Sequence, residues 1–355
     1  MSQIFTSTQP FTLESGKTLP RFHLAYTTLG ALNELRDNAV WVFHALTANS
    51  DPAEWWYGLV GAECLLDPDR YFIVCVNMPG SCYGSIGPLD ADPQTGRPFF
   101  HQFPLFTTRD MIRAYQHLRV HLGISKIHIG IGGSMGGQQL LEWAVEEPEL
   151  FQNIIPIATN AQHSPWGIAF NATQRFCIEH DSTWPEKTPA AGLEGMKTAR
   201  AVALLSYRNY HTYSAAQHGP SATTKDASID EQVYNAETYQ RYQGEKLAKR
   251  FNAFSYYFLS KAMDAHHLGR SRGGSEAALQ KISARTLVIS IHSDILFPEE
   301  EGRFLAAHIP GAVFHLIDSP YGHDGFLLEF EQIGTAIRQF LQSDRQKHPK
   351  AGFAV

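Results

Sequence analysis

The pentapeptide Gly132-Gly133-Ser134-Met135-Gly136, directly after the apolar run Ile127-His128-Ile129-Gly130-Ile131, constrains this chain more than any other segment. A G-x-S-x-G sequence between a strand and a helix is the pattern of a nucleophile elbow, a sharp turn that exposes a serine at its apex. Glycines two residues before and two after Ser134 let the backbone bend tightly and leave the serine as the only bulky group there. The apolar run predicts the strand, and Gln138 to Glu147, stopped by Pro148, predicts the helix. The pattern implies acyl chemistry; the alternative is an ordinary glycine-rich turn with a buried serine.

The rest of the chain supplies the sheet that such an elbow needs. From Val40 to Ile157, short apolar runs (Val40 to Phe43, Tyr71 to Val76, Ile127 to Ile131, Ile154 to Ile157) alternate with helical patterns, as in a buried parallel α/β sheet. Thr107 to Leu122 places Met111, Tyr115, Leu118 and Leu122 on one helical face, opened by Thr107 and Asp110 in capping-box style and closed by Gly123. From about Ser164 to Gly274 the strand runs stop. Glu194 to Tyr207 and Tyr239 to Ala265 read as helices, separated by the polar stretch Ser214 to Asp230. Strands resume at Thr286 to Ile291 and Val313 to Ile317, so the sheet is completed after an insertion. The expected organisation is a mostly parallel α/β core over 1–163 and 275–355, with an inserted helical cap over 164–274.

Composition excludes several classes. At 355 residues, 43% hydrophobic and 18% charged, the chain is an ordinary globular enzyme in composition, and its formal charge of −6 offers no general basic surface for nucleic acid or anionic membrane. A local basic mouth for a phosphorylated ligand stays open. The N-terminal residues carry no basic and apolar leader pattern, and no window holds eighteen uninterrupted apolar residues, so a cytoplasmic protein is expected. Cys64, Cys75, Cys82 and Cys177 lack metal-site spacing and read as reduced thiols; no metal is expected.

A serine hydroxyl needs a histidine base, and the imidazole needs a carboxylate to fix its tautomer. In open α/β sheets the reactive groups stand in loops after strands. Asp294 follows the Thr286 to Ile291 strand and His323 follows the Val313 to Ile317 strand, giving the order Ser, Asp, His expected of an α/β-hydrolase. Asp318, close before His323, is the rival acid, in a place where aspartate more often serves a turn. The oxyanion donors expected are the backbone N–H groups of Met135, after the nucleophile, and of Leu46, in the turn His44-Ala45-Leu46-Thr47 after the first strand of the core.

These residues together resemble the homoserine O-acetyltransferase family of the α/β-hydrolase superfamily. The likeness spans nearly the whole chain: His44 to Thr47, Asn77 with Gly80 to Ser85 and Gly87-Pro88, the elbow running on to Leu141-Glu142-Trp143, and Tyr321-Gly322-His323-Asp324-Gly325-Phe326. The resemblance implies acetylation of L-homoserine from acetyl-CoA in methionine biosynthesis, with acetyl-CoA as co-substrate and no other cofactor, and it implies a homodimer. Gly192-Leu193, Ala199-Arg200 and Tyr207 are similar to the family's cap-helix motif, in which the pair faces the homoserine carboxylate. Seven helical residues turn the chain about 700°, so Arg200 and Tyr207 share a face. Arginine suits a carboxylate, and Asp324 is the candidate for the substrate ammonium. A surface ion pair, a core hydroxyl and a solvated acid are the bland readings of the three.

Two departures stand out. Ala48 follows Thr47 where the family commonly has glycine, tolerable only if its φ stays negative, and Asn77 opens the variant sequence Met78-Pro79-Gly80-Ser81-Cys82. Within the enzyme class, O-succinylation of homoserine, O-acylation of serine and simple ester hydrolysis use the same triad; outside it, the fold can serve as a non-catalytic binding module. The cap aromatics Phe251, Phe254, Tyr256, Tyr257 and Phe258 are expected to cover the active site or a partner subunit, or to be cap core.

Overall fold

The computed structural model describes residues 2–347. Its main sheet has eight strands: β1 (Gln3–Ser7), β2 (Phe22–Leu29), β3 (Ala39–Phe43), β4 (Phe72–Val76), β5 (Ile127–Gly133), β6 (Phe151–Ile157), β7 (Arg285–Ile291) and β8 (Val313–Ile317). They lie in the order β1-β2-β4-β3-β5-β6-β7-β8. β3 to β8 run parallel, and the N-terminal β1 and β2 add an antiparallel edge, β2 pairing with β4. That edge was not legible in the sequence: β2 is buried or half-buried throughout and shows no alternation to distinguish it.

Side chains alternate across β3 and so build two cores. Trp41 and Phe43 face one side, where Trp41 meets Trp143 edge-on at 4.9 Å, while Val40 and Val42 join Ile129, Ile131, Ile155 and Ile157 on the other. The first side is covered by α1 (Thr108–His121) and α2 (Met135–Glu146). α1 starts as expected: Thr107 accepts from the Asp110 N–H, and the Asp110 carboxylate accepts from the Thr107 N–H, the reciprocal pair of a capping box.

Between β6 and β7, neighbours in the sheet, come the five helices of the insertion, α3 (Pro165–Glu179), α4 (Leu193–Tyr207), α5 (Tyr210–Ala216), α6 (Asn235–Ala248) and α7 (Ala253–Asp264), and then a short helix over Ser275–Leu279. The single helix expected from Tyr239 to Ala265 is two. The Asn252 side chain accepts from the Ser255 N–H at 2.8 Å, capping a new helix and turning the chain at Lys249 to Asn252. α3 was not foreseen, and α5 takes up the start of the stretch read as polar linker. Phe251, Phe254 and Tyr256 are buried, Phe251 against Tyr83 and Phe254 against Phe100 of the core, and Tyr257 and Phe258 are half-buried. α8 (Glu299–His308) connects β7 to β8, and α9 (Phe330–Lys347) follows β8.

Candidate active site

The elbow forms because the chain must turn from β5 into α2 where little space remains. A Cβ on Gly136 would stand 2.1 Å from the Phe43 carbonyl oxygen, so only glycine lets α2 approach β3 so closely. Ser134 sits at the apex with φ 57° and ψ −127°, a strained conformation for a residue with a side chain. Its own backbone is anchored on both sides: the N–H donates to Ile157 O at 2.9 Å, and its carbonyl accepts from Thr159 Oγ1 at 2.8 Å.

The predicted partners meet there. His323 Nε2 lies 2.9 Å from Ser134 Oγ, and His323 Nδ1 lies 2.6 Å from Asp294 Oδ2. Asp294 Oδ1 accepts the N–H groups of Leu296 and Phe297 at 2.8 and 3.0 Å, so the loop after β7 fixes the carboxylate's orientation. Asp318, the rival acid, is exposed, and its carbonyl takes a bond from Gln332. Ser134, Asp294 and His323 are only 5%, 4% and 3% exposed, which makes the line of hydrogen bonds an enclosed one. Three aromatic rings wedge the imidazole: Phe297 at 5.1 Å, Phe326 at 5.2 Å and Tyr207 at 5.8 Å between centroids. Phe297 carried no signal in the sequence beyond its nearness to Asp294.

Leu46 and Met135 are buried, and among the described residues neither backbone N–H has an acceptor. Met135 opens α2, so its N–H belongs to a helix N-terminus that favours negative charge. The turn carrying Leu46 is held by His44. The Met78 N–H donates to His44 Nε2 at 3.0 Å, which leaves Nδ1 as the protonated nitrogen, 2.9 Å from Ala45 O. Burial pushes the His44 imidazole down to about 4, and so keeps that neutral tautomer. Gln139 Nε2 reaches both His44 O and Met135 O, joining the turn to the start of α2. Ala48 stays out of the positive-φ region, and Asn77 braces the turn through the Ser50 N–H and hydroxyl and the Tyr83 carbonyl.

α4 brings Arg200 and Tyr207 to one side, the guanidinium 5.4 Å over the phenol ring, and Tyr207 in turn contacts His323. Arg200 Nε is buried without a hydrogen-bond partner. Burial raises the Tyr207 hydroxyl above its usual range, so it stays a neutral donor. Asp324 is not the free acid expected: its Oδ2 is in an ion pair with Arg208. Arg200, Arg208, Gln243, Lys246, Arg250 and Asp324 line one cavity of about 270 Å³. Arg208, Lys246 and Arg250 were not singled out in the sequence; only Arg208, beside Tyr207, stood near a recognised motif. Among the described residues, no group of three or more His, Cys, Asp or Glu side chains is arranged to hold a metal ion, and no helix is long and apolar enough to cross a membrane.

The chain resembles known proteins over nearly its whole length. Residues 38–330 match the model of the alpha/beta hydrolase fold family. The chain is 48% identical over 338 residues to a homoserine O-acetyltransferase of Cyclobacterium marinum, covering 95% of this chain and 94% of that protein. It is 41% identical over 340 residues to a homoserine O-acetyltransferase of Trichormus variabilis, covering 94% and 92%. Among solved structures, the homoserine O-acetyltransferase of Bacillus anthracis superposes with a TM-score of 0.87 at 23% identity, covering 96% of this chain and 97% of that one. Esterase E22 does so with 0.86 at 23%, covering 96% and 99%. At that identity the two structures speak for the fold, and the choice between them falls to the sequence relatives: this chain belongs to the homoserine O-acetyltransferase family of α/β-hydrolase-fold enzymes.

Proposed function

We propose that the protein transfers an acetyl group from acetyl-CoA to the hydroxyl of L-homoserine by way of an acetyl-Ser134 intermediate. His323 Nε2 takes the proton of Ser134 Oγ, and the oxygen attacks the thioester carbonyl. The N–H groups of Leu46 and Met135 receive the oxyanion. The C–S bond breaks, the proton passes from His323 to the departing thiolate, and acetyl-serine remains. Homoserine's hydroxyl then gives its proton to His323 and attacks the ester; Ser134 Oγ leaves and takes the proton back. Asp294 holds the imidazole in the tautomer that both halves use. Every proton in this sequence moves through side chains of this chain, with acetyl-CoA as co-substrate.

The observation that carries the acceptor assignment is Arg200. A half-buried arginine whose Nε is enclosed and unpartnered, its guanidinium over a ring that touches the catalytic histidine, calls for an anion beside the triad. The carboxylate of an amino acid fits it; Tyr207 supplies a neutral hydroxyl nearby, and Asp324 Oδ1, outside the Arg208 pair, remains for the ammonium. An enclosed triad also favours transfer, because water must be kept from the acetyl-enzyme while the acceptor hydroxyl is held close.

Mixing the protein with acetyl-CoA alone should leave acetyl on Ser134, read by mass spectrometry of the peptide; no modification would overturn the two-step route. Arg200→Ala should lose homoserine use and keep acetyl-serine formation, whereas loss of both would remove Arg200 from the acceptor site. Succinyl-CoA offered in place of acetyl-CoA, and serine in place of homoserine, test the two finer choices. For assembly we infer a homodimer. The cap leaves Trp166, Phe176 and Leu205 more than half exposed, an apolar set suited to a second copy, and light scattering would check it.

A further inference from the structure

The cavity beside the triad gathers more positive charge than an amino-acid acceptor uses. Four cations, Arg200, Arg208, Lys246 and Arg250, face it with one carboxylate, Asp324, whose Oδ2 is paired with Arg208. Among the described residues, no carboxylate lies within ion-pair distance of Arg200, Lys246 or Arg250. In a chain of formal charge −6, where acids outnumber Lys and Arg by 35 to 29, three unpaired cations around one concavity repel one another unless an anion joins them. Arg200 accounts for one anion. Lys246 and Arg250 are left over.

Lys246 lies in the last turn of α6 and Arg250 in the turn that follows the helix, the Arg250 N–H donating to Leu247 O, and both line the cavity with Gln243, one turn before Lys246. Arg250 is fixed in place: its Nη1 donates to Thr47 O at 2.5 Å and to the Tyr83 hydroxyl. Thr47 directly follows Leu46, so the cation wall begins at the oxyanion turn and runs outward along α6. Lys246 is exposed, as a group that meets a ligand's distal charge must be.

We propose that Lys246 and Arg250, with Gln243 one turn before them, bind the phosphate groups of the thioester donor. This rests on the acyl-transfer reading above, and it assigns the donor's handle to the cap, across from the Ser134 elbow. Phosphate oxygens suit a point-like ammonium beside an anchored guanidinium, which together supply charge and several donors. A purely local role exists for both residues, since cations near a helix C-terminus are favourable there. Lys249, in the same turn but not lining the cavity, shares that role and serves as the control.

The experiment measures binding of CoA and of pantetheine, which has the same thiol arm and no phosphate, to the wild-type protein and to Lys246→Ala, by titration calorimetry at two salt concentrations. Wild type should bind CoA more tightly than pantetheine, and added salt should weaken CoA binding. In Lys246→Ala the affinity for CoA should fall about tenfold, the preference over pantetheine should shrink by the same factor, and the salt dependence should lessen. Lys246→Arg should restore the preference, and Lys249→Ala should keep it. Equal affinities of the wild type for CoA and pantetheine, an unchanged preference in Lys246→Ala, or an equal loss in Lys249→Ala would each overturn the assignment. Acetyl transfer is scored separately, so a protein that binds CoA through Lys246 but leaves Ser134 unacetylated would reject the reaction and keep the phosphate site.

Discussion

Asp294→Asn tests the catalytic line most sharply, because the structure dictates how the amide must sit. Asp294 Oδ1 accepts two backbone N–H groups, from Leu296 and Phe297 at 2.8 and 3.0 Å. Asparagine can keep both bonds only by placing its oxygen there; the flipped amide would set NH2 against two N–H donors. The NH2 therefore faces His323 Nδ1, which must become an acceptor, so the ring's proton moves to Nε2 and points at Ser134 Oγ, now 2.9 Å from a donor instead of a base. A serine–histidine pair in the wrong tautomer loses about 10⁴-fold in turnover, close to 5.5 kcal/mol of barrier. The fold should lose far less, about 1 to 3 kcal/mol for one amide hydrogen left without a partner. Thiol release from acetyl-CoA, followed with a thiol reagent, gives the rate, and calorimetry gives the midpoint of unfolding. A variant within tenfold of wild type would refute the argument, because it would mean that the Asp294 contact does not set the tautomer of the working base.

Two further outcomes follow from burial and close approach. Gly136→Ala should fail to give folded protein, or lose several kcal/mol of stability, since the new Cβ lies 2.1 Å from backbone that cannot retreat; normal solubility and an unchanged unfolding midpoint would contradict this. Stability should also fall steeply as pH drops from about 6.5 toward 4. Burial lowers His44 and His163 to about 4 and His266 to about 3 in the folded protein, below the unfolded value of 6.5. Between those limits the unfolded chain holds the extra protons, so acid favours unfolding. Each histidine contributes about 3 kcal/mol or more across the window, and the three together rival the whole stability of an ordinary domain. Thermal midpoints measured from pH 7 to pH 4.5 check this, and a flat profile would refute it.

What the sequence showed and what it hid divide along range of contact. Ser134, Asp294 and His323 could be found because each follows a strand whose apolar run is unmistakable, and a parallel sheet brings the loops after its strands to one edge. The capping box at Thr107 and Asp110 is local, and so was legible. The break at Asn252 was missed because Phe251 and Phe254 continue an apolar helical pattern across it, and only the cap hydrogen bond to Ser255 reveals the turn. Arg250 was missed for a stronger reason. Its bond to the Thr47 carbonyl joins residues 203 positions apart, and no periodicity or spacing encodes a contact at that distance. The ion pair of Asp324 was hidden for the same reason: its partner, Arg208, lies within the insertion, far away in the chain.

The way the insertion meets the core explains how one scaffold can serve both esterases and acyl transfer. The loop that carries His323 begins at Gly322, with φ 65°, where a Cβ would come within 2.8 Å of Tyr207 O and 2.9 Å of the Arg208 carbonyl carbon. The end of α4 is thus seated directly on the base's own loop. Tyr207 ends α4, Arg208 follows it and Arg200 stands two turns earlier on the same helix, so the groups that would hold an acceptor are carried by the helix that packs on the loop of the group that would activate its hydroxyl. An esterase needs only the triad and water, and can tolerate a cap that shifts. A transferase needs the acceptor oxygen aligned with an imidazole to within a fraction of an ångström, and the absence of a side chain at Gly322 lets the end of α4 pack directly against the loop that carries His323.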